Sequence, residues 1–85
     1  MSGWFVYLVR CGDNSLYTGI TTDLERRIHE HNHCDKSAAS YTRSRRPVQL
    51  VYWEECKSRA DALSREASVK KLRKPDKERL IRSHV

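Results

Sequence analysis

Trp4-Phe5-Val6-Tyr7-Leu8-Val9, followed after Cys11-Gly12-Asp13-Asn14-Ser15 by Leu16-Tyr17-Thr18-Gly19-Ile20, is the stretch that decides the fold. The first run is aromatic and β-branched, and it is apolar at every position rather than at every second one. A strand of that composition is covered on both faces. The residues between the runs are turn formers, and the second run reads as a short strand, so the whole is a β-hairpin. Residues directly opposed across an antiparallel ladder point to the same face. A register that pairs positions summing to 24 sets Tyr7 against Tyr17 on one face, and a slip of one residue would separate them.

Outward from the hairpin, Thr22 or Asp23 caps a helix that starts at about Leu24 and runs to about His33. Leu24 and Ile28, four apart, form its buried stripe. Cys34 to Arg46 has no apolar period and holds several Ser, Arg and Lys residues, which predicts a loop that orders on a ligand. Pro47 opens a third strand, Val48 to Trp53, apolar on both faces. Ser58 caps a second helix whose stripe is Ala60, Leu63 and Ala67. Asp61 and Arg65 are placed to pair on its outer surface. Pro75 disfavours helix in the residue before it, so this helix should end near Lys74, with a short basic helix from Asp76 to Ser83. The order β-β-α-β-α-α predicts an α+β fold, a small three-stranded antiparallel sheet flanked by helices.

The chain has 85 residues, enough for one domain spanning 1–85 and a modest core. Lys and Arg number 17 against 11 Asp and Glu, a net charge of +6. That excess favours a polyanionic partner such as DNA or RNA, because each neutralised phosphate releases a counterion. Cys11, Cys34 and Cys56 form an odd set without a CxxC pair, which reads as reduced thiols. The one long apolar stretch, Trp4 to Val9, is too short to span a membrane and lacks the charged start of a signal peptide. A cytoplasmic protein with no membrane association is expected. A zinc site at His29, His31, His33 and Cys34 would need a spaced cysteine pair that the sequence lacks.

Tyr7 and Tyr17 lie on the two arms of the hairpin. Arg27 and His31 are one helical turn apart and share a face, where a guanidinium and an imidazole together can grip a phosphate and move a proton. Glu66, three residues after Leu63, sits at the edge of the second helix's stripe, a suitable place for a hard-cation ligand. Taken singly, each has a plain structural alternative: packed sheet tyrosines, a solvated helix face, a glutamate paired with Arg65 or Lys70.

Taken together, Val6-Tyr7-Leu8, Tyr17-Thr18-Gly19, Asp23-Leu24-Glu25-Arg26-Arg27 with His31, and Glu66 resemble the GIY-YIG nuclease motif over nearly the whole chain. The closest likeness is to small stand-alone bacterial proteins of that type, and Tyr41-Thr42-Arg43 resembles a stretch they carry. The resemblance implies a GIY-YIG endonuclease fold and catalytic roles for Tyr7, Tyr17, Arg27, His31 and Glu66. It makes Glu66 the ligand of one Mg²⁺ or Mn²⁺ ion, and Gly19 the glycine that closes the second element. This chain departs from the pattern in reading Phe5-Val6-Tyr7 in the first element and Tyr-Thr-Gly in the second. Lys70 stands one helical turn after Glu66, and the late asparagine of several relatives is not evident.

The implied function is metal-dependent hydrolysis of phosphodiester bonds in DNA, structure-specific or weakly sequence-selective, since no further DNA-reading domain is evident. Arg27 would neutralise charge on the phosphate. Tyr7 or Tyr17, its pKa lowered by Arg27, Lys70 and the metal, would take the proton of the attacking water. His31, with a pKa nearer neutrality, is the fallback base. Tyr41, Arg43, Arg45 and Arg46, joined by Lys70, would follow the nucleic-acid backbone and stack a base. A monomer is expected. The alternatives are a nucleic-acid-binding module of the same fold that cuts little, and a domain recruited by a protein partner.

Overall fold

The computed structural model describes residues 3–84. Two strands, β1 (Trp4–Arg10) and β2 (Leu16–Thr21), form the expected hairpin. They are followed by α1 (Leu24–His33), a four-residue helix α2 (Ser40–Arg43), β3 (Gln49–Cys56), α3 (Arg59–Lys70) and α4 (Lys74–Ser83). The sheet is antiparallel in the order β2-β1-β3, so β1 is central.

A central strand covered by helices on both sides has no solvent face, which is why β1 lacks alternation. Val6, Tyr7, Leu8 and Val9 are all fully buried. Tyr7 and Val9 face one layer, with Tyr17, Leu24, Ile28, Val48 and Leu50. Leu8 faces the other, with Tyr52, Val69, Leu80 and Ile81. Each such side chain contributes about 1.5–3 kcal/mol relative to leaving it in water. The turn between β1 and β2 closes with Asn14 at a φ of 70°, a left-handed conformation asparagine tolerates, and its N–H donates to Cys11 O at 2.9 Å.

Four local expectations are corrected. The hairpin register pairs positions summing to 26, with Tyr7 opposite Gly19 and Tyr17 opposite Val9. A shift of two preserves the pleat, so Tyr7 and Tyr17 still share a face. The segment after α1 is not a bare loop: α2 forms within it and Thr42 is fully buried. β3 runs on to Cys56 because it pairs with β1 over that whole length, Trp4 opposite Cys56, and its Glu54 is held by Arg65 at 2.8 Å with Tyr52 Oη also donating to it. That bond takes Arg65 away from Asp61, its expected partner. Finally, α3 stops at Lys70, four residues early, and Pro75 sits in the first turn of α4, where its missing N–H costs nothing.

The stripe of α3 is also different. Ala62 and Val69 are buried, while Ala60, Leu63 and Ala67 are exposed. Glu66 is four residues after Ala62 and three before Val69, so it lies on the buried stripe itself rather than at its edge. Ser58 and Asp23 do cap α3 and α1, accepting from Asp61 N at 3.1 Å and Arg26 N at 3.0 Å.

Candidate active site

The ring of Tyr7 reaches from the central strand across β2, directly over Gly19. A Cβ built on Gly19 would lie 2.5 Å from the Tyr7 hydroxyl. The glycine that closes the second motif element thus leaves room for this tyrosine. The Tyr7 hydroxyl bonds His31 Nε2 at 2.7 Å, and His31 Nδ1 bonds Thr42 Oγ1 at 2.8 Å. Thr42 Oγ1 in turn donates to Ala39 O at 3.0 Å. A buried chain of hydrogen bonds therefore runs from β1 through α1 to α2.

α1 can present His31 inward because its C-terminal end is pinned twice. Arg46 Nε donates to His31 O at 2.6 Å. The Asn32 amide makes two bonds to Val48, donating to its O at 3.0 Å and accepting from its N at 2.7 Å. The α2 segment is pinned as well: Gly12 N donates to Arg45 O at 2.7 Å, and a Cβ on Gly12 would meet Arg46 O at 2.8 Å. Arg45 also pairs with Asp13 at 3.1 Å.

Tyr17 packs edge-on to His31, with ring centroids 5.6 Å apart, and stacks on Tyr41 at 5.7 Å. Arg45 lies over Tyr41, 3.9 Å from its centroid. Arg27 Nη1 donates to Glu30 Oε1 at 3.0 Å and to Ser37 O at 2.7 Å. Its guanidinium also lies close enough to the Tyr7 hydroxyl for its charge to favour the phenolate. α3 packs against β1 and β2 from the opposite face, and the Glu66 carboxylate is felt at Tyr7 as a charge. Among the described residues, Glu66 is otherwise paired only with Lys70, at 3.4 Å.

Burial pushes the Tyr7 phenol up to about 12; Arg27 pulls it down, while Tyr17 and Glu66 add to the rise. Burial pushes His31 down to about 4, with the nearby Arg27 charge acting in the same direction. These directions are opposite to those expected: Tyr7 is not an acidified phenol, and His31 is not a base tuned to neutral pH. Desolvation outweighs the single guanidinium at Tyr7 because both groups lie in the packed core. With both ring nitrogens bonded and no exposed surface, His31 cannot meet a water molecule directly.

Tyr7, Tyr17, Arg27 and His31 are thus brought together on the α1 side of the sheet, while Glu66 reaches Tyr7 only as a charge from α3, and no cavity is found among the described residues. The arginines expected to track a backbone are engaged within the chain. Arg43 bonds Asp35 O at 2.9 Å, Arg45 bonds Asp13, and Arg46 bonds Asp35 at 2.8 Å. Tyr41, expected to stack a base, is already stacked against Tyr17 and has the Arg45 guanidinium over its ring. Sequence reading gave no role to Thr42, quoted only within Tyr41-Thr42-Arg43, and missed Glu30. Neither has a periodic signal, since Thr42 sits in a segment without apolar repeat and Glu30 is one of several charges on α1.

A single carboxylate with only a lysine partner fits a hard divalent cation that keeps most of its water. Among the described residues, no cluster of three or more His, Cys, Asp or Glu side chains offers a full protein cage. No helix among them is long and apolar enough to cross a membrane.

Comparison with known proteins bears on this arrangement. Residues 3–79 match the GIY-YIG catalytic domain. A UPF0213 protein of Desulfotalea psychrophila is 54% identical over 80 residues, covering 94% of this chain and 72% of its own length. A UPF0213 protein of Haloquadratum walsbyi is 51% identical over 76 residues, 89% of this chain and 83% of that one. The solution NMR structure of the UPF0213 protein BH0048 of Bacillus halodurans is 41% identical, with a TM-score of 0.57, covering 92% of this chain and 81% of that one. The chain belongs to the GIY-YIG catalytic domain family, a nuclease family, and its relatives include the small UPF0213 proteins.

Proposed function

We propose that the chain is a metal-dependent endonuclease that hydrolyses phosphodiester bonds in DNA, with Tyr7 as the general base. The observation that carries this reading is the 2.7 Å contact between the Tyr7 hydroxyl and His31 Nε2, read with Tyr7 as the donor. A phenol whose proton already points at an acceptor presents its lone pairs to the nucleophile. As Tyr7 takes a proton from the attacking water, its own proton passes to Nε2, leaving a neutral phenol and an imidazolium. The resting values, about 12 for Tyr7 and about 4 for His31, keep the proton on Tyr7 until substrate is in place. Arg27, already beside the hydroxyl, holds the phosphate and offsets charge growing on it. Tyr17 walls the site and orients the water.

Glu66 would hold one Mg²⁺ or Mn²⁺ ion, which when bound supplies positive charge at the leaving oxygen and cancels the carboxylate's upward push on Tyr7. Lys70 is its counterion until then. Tyr41, Arg43, Arg45 and Arg46 shape the rim that meets the nucleic acid, mainly by fixing α2. The protein is a cytoplasmic monomer acting on structured or weakly selected DNA.

A second reading, a nucleic-acid-binding module that cuts little, is favoured by the raised phenol. Incubating plasmid, flapped and cruciform DNA with Mg²⁺ or Mn²⁺ separates the two. Cleavage by the wild type that falls about 10²-fold or more in Tyr7→Phe and Glu66→Gln supports the enzyme. Tight binding without metal-dependent cleavage supports the module.

A further inference from the structure

The proton route from Tyr7 needs His31 with a bare Nε2, and an imidazole has two neutral tautomers. In the other one, Nε2–H points at Tyr7 and the phenol proton has nowhere to go. What decides between them lies on α2. The Thr42 hydroxyl has one proton, and Ala39 O, 3.0 Å away, is an acceptor only. With that proton committed, Thr42 Oγ1 can only accept at its second contact, 2.8 Å from His31 Nδ1. Nδ1 must then carry the hydrogen, Nε2 is bare, and the 2.7 Å bond runs from the Tyr7 hydroxyl into the ring.

From this geometry we infer that Thr42 is a positioning residue that fixes the tautomer of His31 and so the direction in which Tyr7 gives up its proton. Neither residue of the Thr42 contact reaches substrate: both are fully buried. The commitment of the Thr42 proton depends on the backbone of α2 staying in place, and that backbone is held to the hairpin turn through Gly12 N and Arg45 O at 2.7 Å. The chain of control thus starts at a turn of the sheet and ends at the base. The functional half of this inference rests on the nuclease reading; the tautomer half does not.

The test uses full-length protein labelled with ¹⁵N-histidine, with the His31 resonances assigned by their loss in His31→Gln. The expected wild-type pattern has a protonated, pyrrole-like Nδ1 and a pyridine-like Nε2. Thr42→Val, which keeps shape but cannot accept, should shift His31 toward the Nε2–H form. It should also lower the saturated cleavage rate by roughly ten- to a hundredfold with KM unchanged. Thr42→Ser should restore both. A wild type with Nε2–H would overturn the inference without any variant, and so would Thr42→Val retaining the Nδ1–H pattern. A wild type with the expected tautomer but no cleavage would remove the nuclease reading and leave the tautomer assignment standing.

Discussion

Tyr7 and Gly19 face each other across the β1–β2 ladder, and the tyrosine hydroxyl fills the space a side chain on residue 19 would need, 2.5 Å from an ideal Cβ. The two residues form one unit: the ring is placed over the edge strand because the edge strand has nothing there. Gly19→Ala should therefore displace the hydroxyl from His31. We expect a loss of stability of about 1–3 kcal/mol from overpacking, together with loss of cleavage. A urea titration beside a cleavage assay checks both. An active, fully stable Gly19→Ala protein would contradict the placement.

The buried imidazole makes stability depend on pH. The His31 value is pushed down to about 4 from an ordinary 6.5, so the unfolded chain binds more protons between those two pH values. Stability contributed by the neutral, bonded ring is fully present above about pH 6.5 and is lost as pH falls through about 4. The full effect is on the order of 3 kcal/mol. Urea midpoints at a series of pH values should fall across that window in the wild type. The His31→Asn protein should lack that part of the slope.

Exposure on α3 predicts an inversion of the simple hydrophobic rule. Leu63 is 39% exposed and Ala62 fully buried. Leu63→Ala should cost less than about 1 kcal/mol, while Ala62→Leu should cost about 1–3 kcal/mol by overpacking. Thermal melts of the two variants decide it; the reverse order would place a different face of α3 on the sheet.

Lys70 lies 3.4 Å from Glu66 and competes for the carboxylate with any divalent cation. Lys70→Gln should tighten Mn²⁺ binding, measured by titration calorimetry, by roughly two- to fivefold, the range expected for a half-exposed ion pair. Weaker binding in this variant would mean that the lysine supports the cation site rather than occupying its place.

Arg46 was expected to touch nucleic acid, yet its Nε donates to His31 O at 2.6 Å and its Nη1 to Asp35 at 2.8 Å. Arg46→Ala should cost about 1–3 kcal/mol in a denaturant titration, because carbonyl and carboxylate lose a charged donor. The slope of log binding affinity against log salt should change little. A slope reduced by about one unit would restore Arg46 to the backbone contacts.

The sequence by itself determined the hairpin, the helix caps and the identities of the converging side chains. The uninterrupted apolar run at Trp4–Val9 has one reading, a covered central strand. Asp23 and Ser58 act within a single turn of chain, and motif spacing carries Tyr7, Tyr17, Arg27, His31 and Glu66 without reference to distance. Tertiary structure decided what those residues experience. Register differed by two because turn geometry, not side-chain matching, sets the offset. The buried face of α3 went to Ala62 and Val69 because a sheet accepts small residues beneath a closely packed helix, and this turned Glu66 inward. Thr42 became part of the site only when α2 closed over His31. The shifts at Tyr7 and His31 came from burial, which depends on every neighbour in three dimensions and is written in no local pattern.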